Sequence, residues 1–456
     1  FWISVFLKIM ILKKFNLSVD HRIAEFKKTI QVDPDKSISI RSFLIGSITE
    51  GISSVKNVLE SHDVISTINC LKKLGVNIKK IRQRNYLIYG KGIGSLNTKK
   101  NTTLNFGNSG TLARLLVGIL STTSNIEIRM FGDKSLNKRN MKKLIELMSK
   151  FGASFFPIKK NNFPLKLVSS PMPVGIRYRS GESAQLKSAV ILAGLNANGN
   201  TEVIEEQRSR DHTEKMLLNN KHTVKIFKKK KKIIKISGKK FLSPINVEVP
   251  NDPSSAAFFT ALTLLNKKST IQIKNVCLNP TRIGFYDLLK KHGAKIKFQK
   301  VRKKNNEIRG NILVKSCKIK PIKASKDYYV NSTDEYPILF VIASLTKGVS
   351  IFKGIGGLAN KESNRIIEMQ KVLKQIGIKT TATRDKIKIY GNEKISSKKR
   401  IYVSNLGDHR ICMSTFILAI LTGTQAKIRN FETVFTSSPS FLKIMKNLGA
   451  KFEIKK

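Results

Sequence analysis

The stretch LLKKHGAKIKF, Leu288–Phe298, decides how this chain is read. A helical phrase runs into a glycine and emerges as a short alternating strand. Gly293 suits the left-handed residue that ends a helix and turns the chain back. The same phrase recurs as CLKKLGVNIKK around Gly75, LMSKFGASFF around Gly152, VLKQIGIKT around Gly377 and IMKNLGAKFEI around Gly449. The spacing is about 75 residues, except for one interval of about twice that between Gly152 and Gly293. Midway through that gap, MLLNNKHTVKI from Met216 has the helix and strand without the glycine. Six units of alternating strands and helices follow, an α/β assembly whose copies divide naturally into two domains of three. Proline-flanked extended segments at Val32–Pro34 and Val249–Pro253 are the expected crossings, because proline and its predecessor resist helix and strand continuation. One domain then comprises residues 1–31 plus 252–456, with both termini, and the other residues 32–251. A cleft between two domains is a natural place for a site.

Composition sets the limits. The chain has 456 residues, 41% hydrophobic and 25% charged, an ordinary globular balance. Lys and Arg number 85 against 30 Asp and Glu, giving a net charge of +55 that by itself suggests a nucleic-acid partner. The longest basic runs, Lys228 to Lys232, Arg302 to Lys304 and Lys398 to Arg400, contain almost no aromatics for base stacking. They fall where hairpin turns belong, which makes them solvated loop charge. Cys70, Cys277, Cys317 and Cys412 lie far apart without metal-ligand spacing and read as reduced cytosolic thiols. The opening FWISVFLKIMILKK is too short and too broken by Lys8 to span a bilayer, and translation is expected to start at Met10.

The chemistry gathers at helix starts, where unpaired N–H groups and the positive end of the dipole attract anions. In DKSISIRSFLIGSITEG, Ile40, Leu44 and Ile48 mark one buried helical face, while Lys36, Ser37 and Arg41 gather at the beginning. FGNSGTLARLL brackets Asn108 and Ser109 between Gly107 and Gly110, letting backbone N–H groups approach an anion. GDKSLNKRNMKKLI supplies Arg139, SGESAQLKSAVILAGL supplies Ser183 and Gln185, and RSRDHTEKML supplies Arg210. Plain caps and basic surface explain each of these singly. Carboxylates are scarcer and so more telling. Asp334 precedes an apolar helix, where capping is the simple role. Lys361, Glu362 and Arg365 are expected to crowd one helical turn, and Asp408, His409 and Arg410 open another apolar helix.

Taken together, the phrases resemble those of the 5-enolpyruvylshikimate-3-phosphate synthase family, in order from Val32 essentially to the C-terminus: DKSISIRS, GNSGTLARLL, GDKSLNKRNM, SAQLKSAVILAGL, SRDHTEKML, PNDPSSAAFF, NPTRIG, DEYPILFVIA, NKESNRI, GDHRICMS and SSPSFLKIMKNLGAKFE. SAQ, DEYPIL and RDHTEKML look like the bacterial class II that includes glyphosate-tolerant members. The resemblance implies a two-domain inside-out α/β barrel, the enolpyruvyl transferase fold, with three units per domain, buried helices and outward sheets. It implies transfer of the enolpyruvyl group of phosphoenolpyruvate to the 5-hydroxyl of shikimate 3-phosphate with release of phosphate. It further implies a cytoplasmic monomer with no metal, no cofactor, no membrane and no specific nucleic-acid partner. By the same matching, shikimate 3-phosphate is held by Lys36, Ser37, Arg41, Ser183, Ala184, Gln185, Arg210, Asp334 and Lys361. Phosphoenolpyruvate is held by Lys36, Gly110, Arg139, Gln185, Arg365 and Arg410, with Lys36 touching both substrates. Asp334 is the implied base at the 5-hydroxyl and Glu362 the implied donor to the methylene.

Departures from the family pattern are Pro34 for a glycine, Ile40 for a common histidine, Asn140 for a proline and Asn364 for an aspartate. At position 110 tolerant relatives carry an alanine whose methyl intrudes on glyphosate, so Gly110 implies a sensitive enzyme. Two rivals stand beside this reading. A UDP-N-acetylglucosamine enolpyruvyl transferase shares the fold, but its family has a cysteine in a mobile loop, and the KS-plus-Arg and SAQ motifs fit the shikimate type better. A basic nucleic-acid-binding module is the other.

Overall fold

The helix-glycine-strand phrase is a real and recurring closure. In a computed structural model describing residues 14–228, 231–395, 399–404 and 406–455, Gly75, Gly152, Gly293, Gly377 and Gly449 all adopt φ between 79° and 94°. In each case the next residue's N–H reaches back over the helix end: Val76 to Leu71 O (3.0 Å), Ala153 to Met148 O (3.3 Å), Ala294 to Leu289 O (3.0 Å), Ile378 to Leu373 O (3.0 Å) and Ala450 to Met445 O (3.0 Å). This is the six-to-one bond that satisfies an orphan carbonyl and aims the chain into a strand. The copy without glycine has only the short helix His212–Leu217 before strand Val224–Lys228. The expected start at Met10 lies outside the described residues.

Each phrase belongs to one of six four-stranded sheets. The repeat is strand, helix, strand, helix, hairpin. In one copy, strand Arg177–Ser180 leads through helix Ala184–Gly194 to strand Asn200–Glu205, which runs parallel to it. Helix His212–Leu217 and strand Val224–Lys228 follow, and strand Lys232–Ser237 closes the sheet antiparallel to both neighbours, with Ile234 opposite Val203 on one side and Ile226 on the other. Three sheets borrow a strand from far along the chain. Asn246–Glu248 pairs parallel with Glu50–Lys56, and Lys27–Ile30 with Thr270–Cys277. Asn16–Val19 pairs antiparallel with Gln425–Ile428 and Glu453–Lys455.

The chain divides into two compact units. A terminal unit comprises Phe1–Asp33, Asn251–Arg302 and Ile308–Lys456; an inserted unit comprises Pro34–Pro250 with Lys303–Glu307. Within the terminal unit the helices Pro253–Leu265, Tyr336–Ser344 and His409–Thr422 pack on one another and are buried along almost their whole length. Within the inserted unit the buried set is Lys36–Ser47, Gly110–Ser121 and Ala184–Gly194. Sheets flank these helices with one face in and one out, as in Arg400–Val403 and Gln425–Ile428, where burial strictly alternates. Helices thus form the interior and sheets the exterior.

Two expectations need correction. Ile40, Leu44 and Ile48 do not mark a single buried face: the helix is buried from Ile38 through Ser47, and Ile48 is its C-cap. It is surrounded, and its serines are tolerated inside because Ser39 donates to Asp35 O (2.8 Å) and Ser42 to Ile38 O (2.9 Å). The basic runs also differ. Lys232 and Lys304 border hairpin turns, but Arg400 opens a strand that pairs with Gln425–Ile428 in a different sheet from Lys386–Gly391, the strand before it, so no hairpin joins the two; Lys398 lies outside the described residues. Much of the excess charge instead occupies exposed alternate strand positions such as Lys225, Lys295, Lys297 and Lys427.

Candidate active site

Each unit assembles its own constellation. In the inserted unit, Asp35 accepts from Ile38 N (2.8 Å) and starts the helix whose first residue is Lys36. Lys36 Nζ lies 3.1 Å from Asp63 Oδ2, its side chain 19% exposed. One turn on, buried Arg41 donates through Nε to Thr213 Oγ1 (2.9 Å), through Nη1 to Ser37 O (3.1 Å) and through Nη2 to Ser188 Oγ (3.2 Å). Its fork therefore ties three helices together. Pro34 does not disturb this beginning, since Asp35 still caps it, and Ile40 is wholly buried.

A second cluster surrounds Gly110. Ser109 caps its helix by accepting from Leu112 N (3.2 Å). Arg114 Nη1 donates to Gly110 O (3.1 Å) and to Gln185 Oε1 (2.9 Å), while Gln185 Nε2 donates to Thr111 Oγ1 (2.9 Å). The Gln185 amide is thus held at both ends. Arg139 Nη2 donates to Asn108 Oδ1 (2.6 Å), and Asn108 Nδ2 to Asp133 Oδ2 (2.6 Å). A Cβ built on Gly110 would stand 2.8 Å from Arg114 Nη1 and 2.9 Å from Arg139 Nη1, so two guanidiniums flank this glycine. Ser183 accepts from Leu186 N (3.3 Å) and caps the helix that Ala184 and Gln185 begin. Arg210 is half-buried just before the helix His212–Leu217. Asn140 accepts from Lys142 N (2.8 Å), doing at that helix start what a proline would not.

The terminal unit builds around Arg365. This fully buried guanidinium donates through Nε to Asp408 Oδ2 (2.9 Å) and through Nη2 to Glu362 Oε2 (2.6 Å), with Asp334 Oδ1 3.6 Å from Nη1. Burial opposes its charge, but Asp408, Glu362 and Asp334 outweigh that and raise its pKa. Asp408 also caps the next helix by accepting from Arg410 N (2.9 Å) and accepts from Ser363 Oγ (2.9 Å). Arg410 is buried, its guanidinium carbon 5.7 Å from the Phe258 ring centre.

Within the terminal unit, then, the structure brings Asp334, Glu362, Arg365 and Asp408 together. Lys361 and Arg365 do not share a helical turn as expected. Lys361 is extended (φ −92°, ψ −152°) after the turn Gly356–Asn360, and Asn364 starts the helix afresh by accepting from Ile367 N (3.3 Å). Asp334 is not a cap either: Glu335 holds that position, its side chain making no capping bond and instead accepting from Ser254 Oγ. Sequence reasoning missed Arg114, although its place four residues after Gly110 signals contact on one helix face. It read Asp408 only as one of three residues opening an apolar helix. The hydroxyls of Ser188 and Thr213, which hold Arg41, carry no sequence signal. Among the described residues no group of three or more His, Cys, Asp or Glu is arranged to hold a metal.

Comparison with known proteins places this architecture among the enolpyruvyl transferases. The enolpyruvyl transferase NikO from Streptomyces tendae aligns over 97% of this chain and 98% of its own with a TM-score of 0.74, at 12% identity a likeness of fold alone. The likeness to EPSP synthases is closer. The solved EPSP synthase of Acinetobacter baumannii is 33% identical, with a TM-score of 0.83 over 97% of this chain and all of its own. The 3-phosphoshikimate 1-carboxyvinyltransferase of Petrotoga mobilis is 38% identical over 427 residues, 92% of this chain and 96% of the relative. The family model for EPSP synthase (3-phosphoshikimate 1-carboxyvinyltransferase) matches residues 21–445, and the chain belongs to that family.

Proposed function

We propose that the chain transfers the enolpyruvyl group of phosphoenolpyruvate to the 5-hydroxyl of shikimate 3-phosphate and releases phosphate. The observation that carries this reading is that the expected anion-binding groups stand at helix starts in both units: Lys36, Gly110 and Gln185 in one, Arg365 and Arg410 in the other. Lys36, Ser37, Arg41, Ser183, Ala184, Gln185 and Arg210 take shikimate 3-phosphate together with Asp334 and Lys361. Lys36, Gly110, Arg139, Gln185, Arg365 and Arg410 take phosphoenolpyruvate.

In this scheme Asp334 accepts the 5-hydroxyl proton as its oxygen bonds to C2 of phosphoenolpyruvate, while Glu362 delivers a proton to the methylene carbon. The tetrahedral product then loses phosphate from C2 and a proton from the methyl group, restoring the double bond. Preorganised guanidiniums at Arg139, Arg365 and Arg410 stabilise the carboxylate and the departing phosphate. The residues need no metal or organic cofactor for these steps. We place the enzyme in the cytoplasm as a monomer; its four free thiols support a reducing compartment, and among the described residues no helix is long and apolar enough to cross a membrane. The test is phosphate release with the purified chain. Release that requires both phosphoenolpyruvate and shikimate 3-phosphate is expected, and release with UDP-N-acetylglucosamine in place of shikimate 3-phosphate, or none at all, contradicts the reading.

A further inference from the structure

Two residues beyond Gln185, the same helix carries a lysine into the interior. The Lys187 side chain is 0% exposed, with Nζ 2.5 Å from Glu205 Oε1 and 2.8 Å from Glu214 Oε1. Lys232 Nζ approaches the same two carboxylates, at 3.1 Å from Glu205 and 3.3 Å from Glu214. Two cations and two anions therefore balance, with Lys187, Glu205 and Glu214 buried and Lys232 partly exposed. Such clusters are costly to desolvate and are weak devices for stability, so their retention calls for another role.

The role is visible in what only one carboxylate does. Glu205 Oε1 also accepts from Ser209 N (3.1 Å) and Ser209 Oγ (3.3 Å), and Lys187 Nζ donates to Ser209 O at 3.5 Å. Ser209 is wholly buried, whereas Glu206, Gln207 and Arg208 before it are exposed. The loop that presents Arg210 is thus anchored at the residue immediately before it. We propose that the Lys187–Glu205 pair is a positioning device for the shikimate 3-phosphate side of the site, holding Ser209 so that the Arg210 guanidinium meets the substrate phosphate. This rests on the function proposed above.

Charge and burial give a matched control. Glu205→Met and Glu214→Met each remove one carboxylate from the same cluster, but only the first releases Ser209. Glu205→Met is expected to raise the KM for shikimate 3-phosphate about tenfold or more, leaving the KM for phosphoenolpyruvate within about twofold. Glu214→Met is expected to lower thermal stability comparably with a much smaller change in that KM. The double variant Lys187→Met/Glu205→Met removes a balanced pair, so it should recover most of the stability that Glu205→Met loses yet keep the raised KM. A normal KM in the double variant, or equal KM changes in the two single variants, overturns the positioning role. Failure of the wild-type chain to release phosphate from its two substrates refutes instead the function on which the proposal rests.

Discussion

Arg365 shows what a single residue holds in this chain. Its guanidinium is fully buried and faces Asp408, Glu362 and Asp334, so removing it strands carboxylates away from water. Arg365→Met is expected to destabilise the chain by about 3–5 kcal/mol in urea unfolding; a loss under about 1 kcal/mol would contradict that geometry. Asp334→Ala and Glu362→Gln are expected to lower kcat by about 100-fold or more with only small changes in substrate binding, and near-normal turnover in either contradicts its assigned role. At Gly110 a methyl group would press on Arg114 and Arg139 at 2.8 and 2.9 Å. The wild-type chain should be inhibited by glyphosate in competition with phosphoenolpyruvate, and Gly110→Ala should weaken that inhibition while raising the KM for phosphoenolpyruvate; an inhibition curve flat to high millimolar glyphosate with the wild type would contradict this. Lys36, Arg139, Arg365 and Arg410 were legible because each falls in a short phrase at or just before a helix start, whereas Arg114, one turn inside its helix, was missed. The Asp408–Arg365 pair was not legible, since 43 residues separate the partners and a carboxylate before a helix reads equally well as a cap.

At the scale of elements, the glycines divide into two kinds. Gly449 is at φ 94° with open space around a would-be Cβ, so Gly449→Ala meets only backbone strain. A loss of about 1 kcal/mol with unchanged KM values is expected. Gly118 lies where helix Gly110–Ser121 crosses helix Ala184–Gly194, and a Cβ there would stand 2.6 Å from Ala189 O and 2.9 Å from its Cα. Neither is a flexible side-chain end. Gly118→Ala should therefore push the two helices apart, lowering the melting temperature and raising the KM for phosphoenolpyruvate by disturbing the Gln185–Arg114 contact; normal values for both would contradict the crossing. The repeat was readable because a left-handed glycine, a buried helix end and an alternating strand leave three coincident signals. Which strand completes each sheet was not readable, because Asn16–Val19, Lys27–Ile30 and Asn246–Glu248 are short and join partners distant in sequence. The buried cluster around Lys187 escaped for a related reason: lysine at a helical position reads as surface unless its carboxylates, here on a strand and another helix, are known.

Over the whole molecule, the +55 charge and the proposed activity separate cleanly. The binding constellations use only a few cations, and much of the remainder sits on outward strand positions, where lysine alternates with buried apolar residues. An inside-out arrangement makes this possible: helices supply the interior and the anion-seeking ends, and sheets supply a surface that tolerates charge. Glu205 adds a dependence on pH. Burial pushes its carboxyl up, but the charges of Lys187 and Lys232 and the bond from Ser209 prevail and hold it below the ordinary value. Its stabilising contribution is thus complete above the usual carboxylate range and fades as pH falls through its lowered value. Acid unfolding of Lys187→Met/Glu205→Met should accordingly fall less steeply with pH than that of the wild type, and an identical profile would contradict the assignment. The central claim is that the anion-binding groups assigned at these helix starts hold shikimate 3-phosphate and phosphoenolpyruvate. A crystal structure with shikimate 3-phosphate and glyphosate bound tests it most directly. The account predicts Lys36, Arg41, Arg139, Gln185, Asp334, Glu362, Arg365 and Arg410 in contact with the bound ligands; ligands seated away from these residues would contradict it.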